Sequence, residues 1–266
     1  MAGFRKIRLS LLVGVAFAAA MSGQLVDRTK EPQQGTTLDA DLTFEKRADI
    51  FMARKMFREA QESYELALDN DPRSPRLHNK LGIAYHQQLD LNAARRYYER
   101  AFRVDKSYSQ AINNLGTIYY AQRRYRKATQ TYKRALKVTP HSASVYSNLG
   151  TSFFARGRFK DASKAYLTAL QLDPEVFEHR GSNGTLLQER SVTNRGKYYY
   201  FMAKAYAQAG LYDNALLHVR KALEEGYNQR KKIAADKAFE PMLDMPAFQR
   251  VIFPELVASS AADSLN

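Results

Sequence analysis

The chain has 266 residues, 45% of them hydrophobic, which is enough for a sizeable core and too apolar for a disordered chain. Its 41 Lys and Arg against 27 Asp and Glu give a formal charge of +14, a balance that suits either a solvated basic surface or attraction to nucleic acid, anionic lipid or acidic polymer. No cysteine is present, which excludes disulfides, thiolate metal sites, cysteine nucleophiles and lipid attachment through an N-terminal Cys.

Arg5, Lys6 and Arg8 open the chain, the apolar run Leu9 to Ala20 comes next, and Ala18, Ala20, Ser22 and Gly23 supply small residues. This is the layout of a secretory signal, and the run is shorter than the roughly 20 residues a membrane-spanning helix needs. The expectation is an export signal over residues 1–23, cut near Ser22 or Gly23, and hence a periplasmic, envelope or secreted location. Residues 24–40 are polar, hold Pro32 and Gly35 and show no apolar period, so a flexible leader is predicted there.

An internal repeat organises the rest of the chain. Leu81-Gly82, Leu115-Gly116 and Leu149-Gly150 recur every 34 residues. Ala94, Ala128 and Ala162 keep the same spacing, as do Tyr98, Tyr132 and Tyr166, and Ala101, Ala135 and Ala169. Small residues at these columns let two helices cross closely, and Tyr85, Tyr119 and Phe153 fill the space beside them. Pro140 and Pro174 close two units, where proline ends the second helix. Extended backwards, the register gives a first unit from Asp41 to Ser74 with Phe44, Ala48, Phe51, Ala60, Tyr64, Ala67 and Pro72 in phase.

Leu-Gly, an aromatic, an alanine, a second aromatic and a closing proline, in that order and at that period, resemble the tetratricopeptide repeat family, bacterial exported type. Arg47-Ala48 in place of Leu-Gly, Lys106 in place of a proline, and the absence of tryptophan depart from its pattern. The resemblance implies an all-α fold: a solenoid of about five helix-turn-helix repeats wound as a right-handed superhelix, with the first helix of each hairpin on a concave face. Repeats 1–4 cover 41–176. The period then breaks, because Ala203 and Ala215 lie 53 residues after Gly150 and Ala162. A fifth repeat over 196–229, carrying Tyr199, Ala203, Tyr206, Gly210, Ala215 and Ala222, is therefore preceded by an inserted loop over 177–195. Residues 230–257, with Asp236, Phe239, Pro246 and Phe248, are predicted to cap the last apolar face, and 258–266 to fray.

Catalytic groups do not converge in this sequence. His78, His86, His141, His179 and His218 are scattered, and neither a phosphate-binding loop nor a nucleophile elbow is present. Glu178, His179, Glu189 and Arg190 form the cluster that an enzyme would need in the insertion, and ordinary loop polarity explains them more simply. The expectation is no enzyme, no metal and no cofactor. The resemblance points instead to the concave groove, with Arg76, Asn79, Lys80, Ile83 and His86 in the second unit, Asn113, Asn114, Thr117 and Tyr120 in the third, Ser147, Asn148, Thr151 and Phe154 in the fourth, and Lys197, Tyr200 and Lys204 in the fifth. Asn114 and Asn148 are 34 apart and resemble the asparagine ladders with which some family members hold a peptide backbone. The expected partner is another protein or an extended peptide rather than nucleic acid. Positive charge falls elsewhere, on Arg95, Arg96, Arg100, Arg103, Arg123, Arg124, Arg126, Lys127, Lys133, Arg134 and Lys137 of the second helices and their bends. That convex side is either ordinary solvated surface or, as the alternative function, a basic module that docks on anionic lipid, polysaccharide or nucleic acid, such as an anionic envelope surface.

Overall fold

A computed structural model describes residues 42–178 and 194–255. The expected export signal, the leader, most of the insertion and the tail lie outside the described residues. Ten helices pair into five hairpins: α1 (Phe44–Ala53) with α2 (Phe57–Asn70), α3 (Pro75–Gln87) with α4 (Leu91–Val104), α5 (Ser109–Ala121) with α6 (Tyr125–Val138), α7 (Ala143–Ala155) with α8 (Phe159–Leu172), and α9 (Arg195–Gln208) with α10 (Tyr212–Glu224). Each second helix also packs on the first helix of the next hairpin, so the described residues form an all-α solenoid. Three short elements complete the described chain: α11 (Arg230–Ala234), a 3-10 helix (Lys237–Met242) and α12 (Pro246–Ile252).

Local chemistry starts several of these helices. Asp90 Oδ1 accepts from the Ala93 N–H at 2.9 Å, and Asn194 Oδ1 from the Lys197 N–H at 3.0 Å, each satisfying an orphan donor of a first turn. Ser74 caps α3 and Pro75 takes its first position, where a missing N–H costs nothing. The hairpins turn by a common device. Lys55, Leu89, Arg123 and Gly157, 34 residues apart, have φ of 60°, 64°, 58° and 72°, and Gly210 has 77°. In each case the N–H one residue later returns to the carbonyl five residues back, as from Asp90 to Tyr85 at 3.0 Å and from Arg124 to Tyr119 at 2.8 Å. That is the closure a left-handed residue permits at a helix C-terminus.

The repeat columns meet as their spacing predicts. A Cβ placed on Gly82, Gly116 or Gly150 would lie under 3.0 Å from the ring of Tyr98, Tyr132 or Tyr166, and all three rings are fully buried. Burial pushes these three phenols far above their ordinary pKa, so they act as neutral donors. Tyr132 donates to Thr117 Oγ1 at 3.1 Å and Tyr166 to Thr151 Oγ1 at 3.3 Å. Ile83 stands in the threonine column of the second hairpin, and the Tyr98 hydroxyl is left without a partner.

The fifth hairpin packs directly on the fourth, α9 against α8. Phe177, at the start of the longer connection, bridges them, with its ring 5.8 Å from that of Tyr166 and 6.1 Å from that of Tyr206. α9 begins at Arg195, one residue before the expected start of the fifth unit. Phe239, Met242, Phe248 and Ile252 are buried, so the C-terminal elements continue the core beyond α10. Among the described residues no helix is long and apolar enough to cross a membrane.

Candidate functional site

Along the first helices the candidate groove residues meet one another through a link that reaches back 35 residues. Asn114 Nδ2 donates to Asn79 Oδ1 and Asn148 Nδ2 to Asn113 Oδ1, both at 3.0 Å. One seam earlier, the equivalent residue Lys80 holds Glu45 Oε1 at 2.8 Å, and it also holds Asp49 Oδ2 at 2.6 Å. Arg76 pairs with the same Glu45. The 34-residue asparagine spacing thus joins neighbouring hairpins through the Nδ2 donors of Asn114 and Asn148, which the sequence had assigned to a ligand. Lys80 and Arg76, the basic groove candidates of the second hairpin, are likewise engaged by the carboxylates of α1.

The remaining groove candidates of the third and fourth hairpins are buried, at 6% exposure or less. Thr117 Oγ1 donates to the Asn113 carbonyl at 3.3 Å and Thr151 Oγ1 to that of Ser147 at 3.2 Å, so helix backbone and phenol columns share these hydroxyls. Tyr120 packs on Tyr125 at 5.1 Å between centroids. Phe154 lies 5.2 Å from Phe159, 5.7 Å from Tyr198 and 6.2 Å from Phe201. Asn113 differs from its neighbours: its Nδ2 is enclosed and has no hydrogen-bond partner.

Tyr200 and Lys204, groove candidates of the fifth hairpin, meet the C-terminal cap. Both donate to Asp236 Oδ2, Lys204 at 2.6 Å, and the Tyr200 ring stacks on Tyr227 at 4.6 Å. They anchor the C-terminal cap to α9. Burial pushes the Asp236 carboxyl up, but the hydrogen bonds from Lys204, Tyr200 and the Ala238 N–H outweigh it and hold the carboxyl below its ordinary range. Asp236 was legible only as a cap residue, because the cap has no repeat period that would align it with α9.

The basic residues occupy the second helices and bends as expected. Arg96, Arg123, Arg124, Arg126 and Lys127 are exposed, while Arg95 is half-buried with its Nε enclosed and unpartnered. Arg124 and Lys127 lie over the Tyr119 ring at 5.5 and 5.8 Å, and Arg134 over Phe102 at 4.0 Å. Helix α6 carries Arg126, Lys127, Lys133, Arg134 and Lys137 and no acidic residue. Among the described residues none of these side chains forms an ion pair, and no three His, Asp or Glu side chains are grouped to hold a metal. Glu178 Oε1 accepts from Asn214 Nδ2 at 3.1 Å, and its companions His179, Glu189 and Arg190 lie outside the described residues.

Residues 46–112 and 113–176 match the family described as tetratricopeptide repeat. The chain is a tetratricopeptide repeat protein. The matched stretches coincide with the hairpins whose glycine, tyrosine and alanine columns repeat, and the family is a protein-interaction module, generally non-catalytic. No curated protein sequence matches the chain. Among solved structures, this tetratricopeptide protein is similar to MamA, at 22% identity, covering 71% of this chain and 92% of that one with a TM-score of 0.47. It is also similar to MamA from Desulfovibrio magneticus RS-1, at 17% identity, 70% and 94% coverage and a TM-score of 0.49. A third is YrrB, described as a TPR protein with an unusual peptide-binding site, at 16% identity, 70% and 86% coverage and a TM-score of 0.46.

Proposed function

We propose that the chain is a non-catalytic scaffold that holds an extended segment of a partner protein along its first-helix face, within an exported or cell-envelope assembly. Asn113 carries this reading. Its Oδ1 is committed to Asn148 while its Nδ2 is enclosed with no acceptor, and such an orphan donor costs about 1–3 kcal/mol. A backbone carbonyl of an extended peptide is the kind of acceptor this donor lacks, and it reaches the enclosed Nδ2 once the surrounding side chains part. Asn79, Thr117, Ser147 and Thr151 are the polar candidates of the same first helices and Tyr120 and Phe154 the aromatic ones, all nearly enclosed in the free chain. The positive start Arg5, Lys6 and Arg8 and the apolar run after it support export, which N-terminal sequencing of the fractionated protein checks.

Peptides selected on the full chain from a random library test the groove. Affinity should fall about tenfold or more in Asn113→Ala. Asn113→Asp keeps the acceptor for Asn148, removes the donor and should lose affinity as well. A second reading is favoured by α6, whose five cations have no carboxylate in the same helix: attachment of that face to an anionic surface. Binding that survives both Asn113 variants and vanishes between about 0.1 and 0.5 M salt would replace the groove reading with this one.

A further inference from the structure

A cleft of about 480 Å³ opens where the turn between the first two hairpins meets the end of α4, lined by Arg73, His78, Arg100, Arg103 and Val104. Its volume falls in the range of small-molecule sites. Three arginines line it, and among the described residues none of them forms an ion pair with a carboxylate. Arg100 is positioned over the Tyr97 ring at 5.0 Å, and Tyr97 in turn stacks on Tyr85 at 5.3 Å. Arg103 donates from Nε to the Glu99 carbonyl at 3.4 Å, a contact that uses one of its five donors.

His78 supplies an independent observation. The residue is buried, at 9% exposure, and its Nε2–H donates to the Pro72 carbonyl at 3.0 Å. Its Nδ1 is enclosed and has no partner. A buried polar atom without a partner, beside uncompensated guanidinium groups, is an arrangement that an anion completes.

We propose that Arg73, His78, Arg100 and Arg103 form a binding site for a dianionic phosphoryl group, as in inorganic phosphate or a soluble phosphate monoester. The fork geometry of arginine matches phosphate oxygens two at a time, and the cleft leaves room for the ester's organic substituent. The site shares no residue with α6 or with the asparagine pairs, so its test depends on neither the groove nor the anionic-surface reading. Burial and the neighbouring charges of Arg100 and Arg103 hold the imidazole below its ordinary pKa against the opposing pull of the Pro72 carbonyl and Asp71. A bound dianion reverses that balance and lets Nδ1 take up a proton and donate. Affinity counted against the dianionic form of the ligand therefore rises as pH falls, by at most about tenfold per pH unit for one imidazole proton, while the ligand's own second ionisation acts in the opposite sense.

The probes are inorganic phosphate and pyrophosphate added to the full chain at matched ionic strength, with the His78 ring followed by NMR and assigned through His78→Gln. We expect a saturable shift of that ring, a rise in its pKa on binding, and, once affinity is counted against the dianion, loss of the remaining pH dependence in His78→Gln. The Arg100→Gln/Arg103→Gln double variant should bind about tenfold or more weakly while its helical circular dichroism is unchanged. Arg100→Lys/Arg103→Lys keeps the charge and should also bind more weakly. Equal affinity in the lysine variant would reduce the site to diffuse attraction and overturn the proposal. So would a ring shift no larger than chloride produces, or binding seen with phosphatidic acid vesicles and not with the soluble probes.

Discussion

The seam between α1 and α3 and the seam between α7 and α9 occupy equivalent places in the solenoid and are built from opposite materials. In the first, Lys80 and Arg76 of α3 hold Glu45 and Asp49 of α1 by charge. In the last, Phe154 meets Tyr198 and Phe201 edge to face, and Phe201 stacks on Phe159 at 5.1 Å. The two seams between them use amide pairs at the same 35-residue offset. One backbone register therefore accepts three chemistries. What the repeat specifies is the closeness of the helices through its glycine and tyrosine columns, while the groups that cross each seam remain free to vary. The consequence is a gradient along the first-helix seams: the first depends on charge and the last on buried area, with the Lys204–Asp236 pair added where α9 meets the cap.

The largest effect should come from the aromatic seam. Phe154→Ala removes a buried ring that touches the rings of Phe159, Tyr198 and Phe201, and should cost about 3–5 kcal/mol in denaturant unfolding, independently of salt. Lys80→Ala should cost about 2 kcal/mol at low ionic strength, because its charge-assisted contacts to Glu45 and Asp49 are partly shielded from water. That cost should shrink in high salt, and a salt-independent loss of the same size would assign Lys80 to packing instead.

A finer contrast separates the second and third hairpins. Tyr132→Phe breaks a buried hydrogen bond to Thr117 and should cost about 1 kcal/mol, whereas Tyr98→Phe removes a hydroxyl that has no partner and should be neutral or stabilising. Thermal melts of the two variants side by side check this, and equal losses would mean that Tyr98 does have an acceptor. The smallest effect is expected at the turns. Leu89 is 81% exposed and has a φ of 64°, a conformation that costs a side chain roughly 1 kcal/mol and glycine little. Leu89→Gly should therefore gain about 0.5–1 kcal/mol, since glycine already holds the same place in the fourth hairpin at Gly157.

Acid should act at the other end of the gradient. The Asp236 carboxyl has a lowered pKa in the folded chain, so its contribution is fully present above the ordinary carboxylate value and is lost as pH falls through the lowered one. The cap should loosen in that window, with exchange of the 3-10 helix amides as the readout, and Asp236→Asn should flatten the response.

The sequence carried the hairpins and the columns that pack them, because a fixed period reports every position where two helices must approach closely. It marked Asn114 and Asn148 as special but misjudged where their donors go, since the link runs to the preceding column one repeat back and not to the same column. Glu45 and Lys80 share that 35-residue offset, so the ionic seam could have been found once the offset was known. The contact of Tyr200 and Lys204 with Asp236 was not legible for a different reason: Asp236 lies in a cap without periodicity, where sequence spacing carries no information about contact. The cleft around His78 was hidden because its arginines lie on separate elements, a turn and a second helix, and only packing brings them together.

Native-state hydrogen exchange at about 0.1 and 1 M salt tests the gradient most directly, because a solenoid opens locally, hairpin by hairpin. Added salt should speed exchange in α1 and α2 more than in α9 and α10, where the Lys204–Asp236 and Arg195–Glu225 pairs stand beside a buried aromatic seam. A uniform response along all five hairpins, or a larger one at α9 and α10, would contradict a charge-dependent N-terminal end.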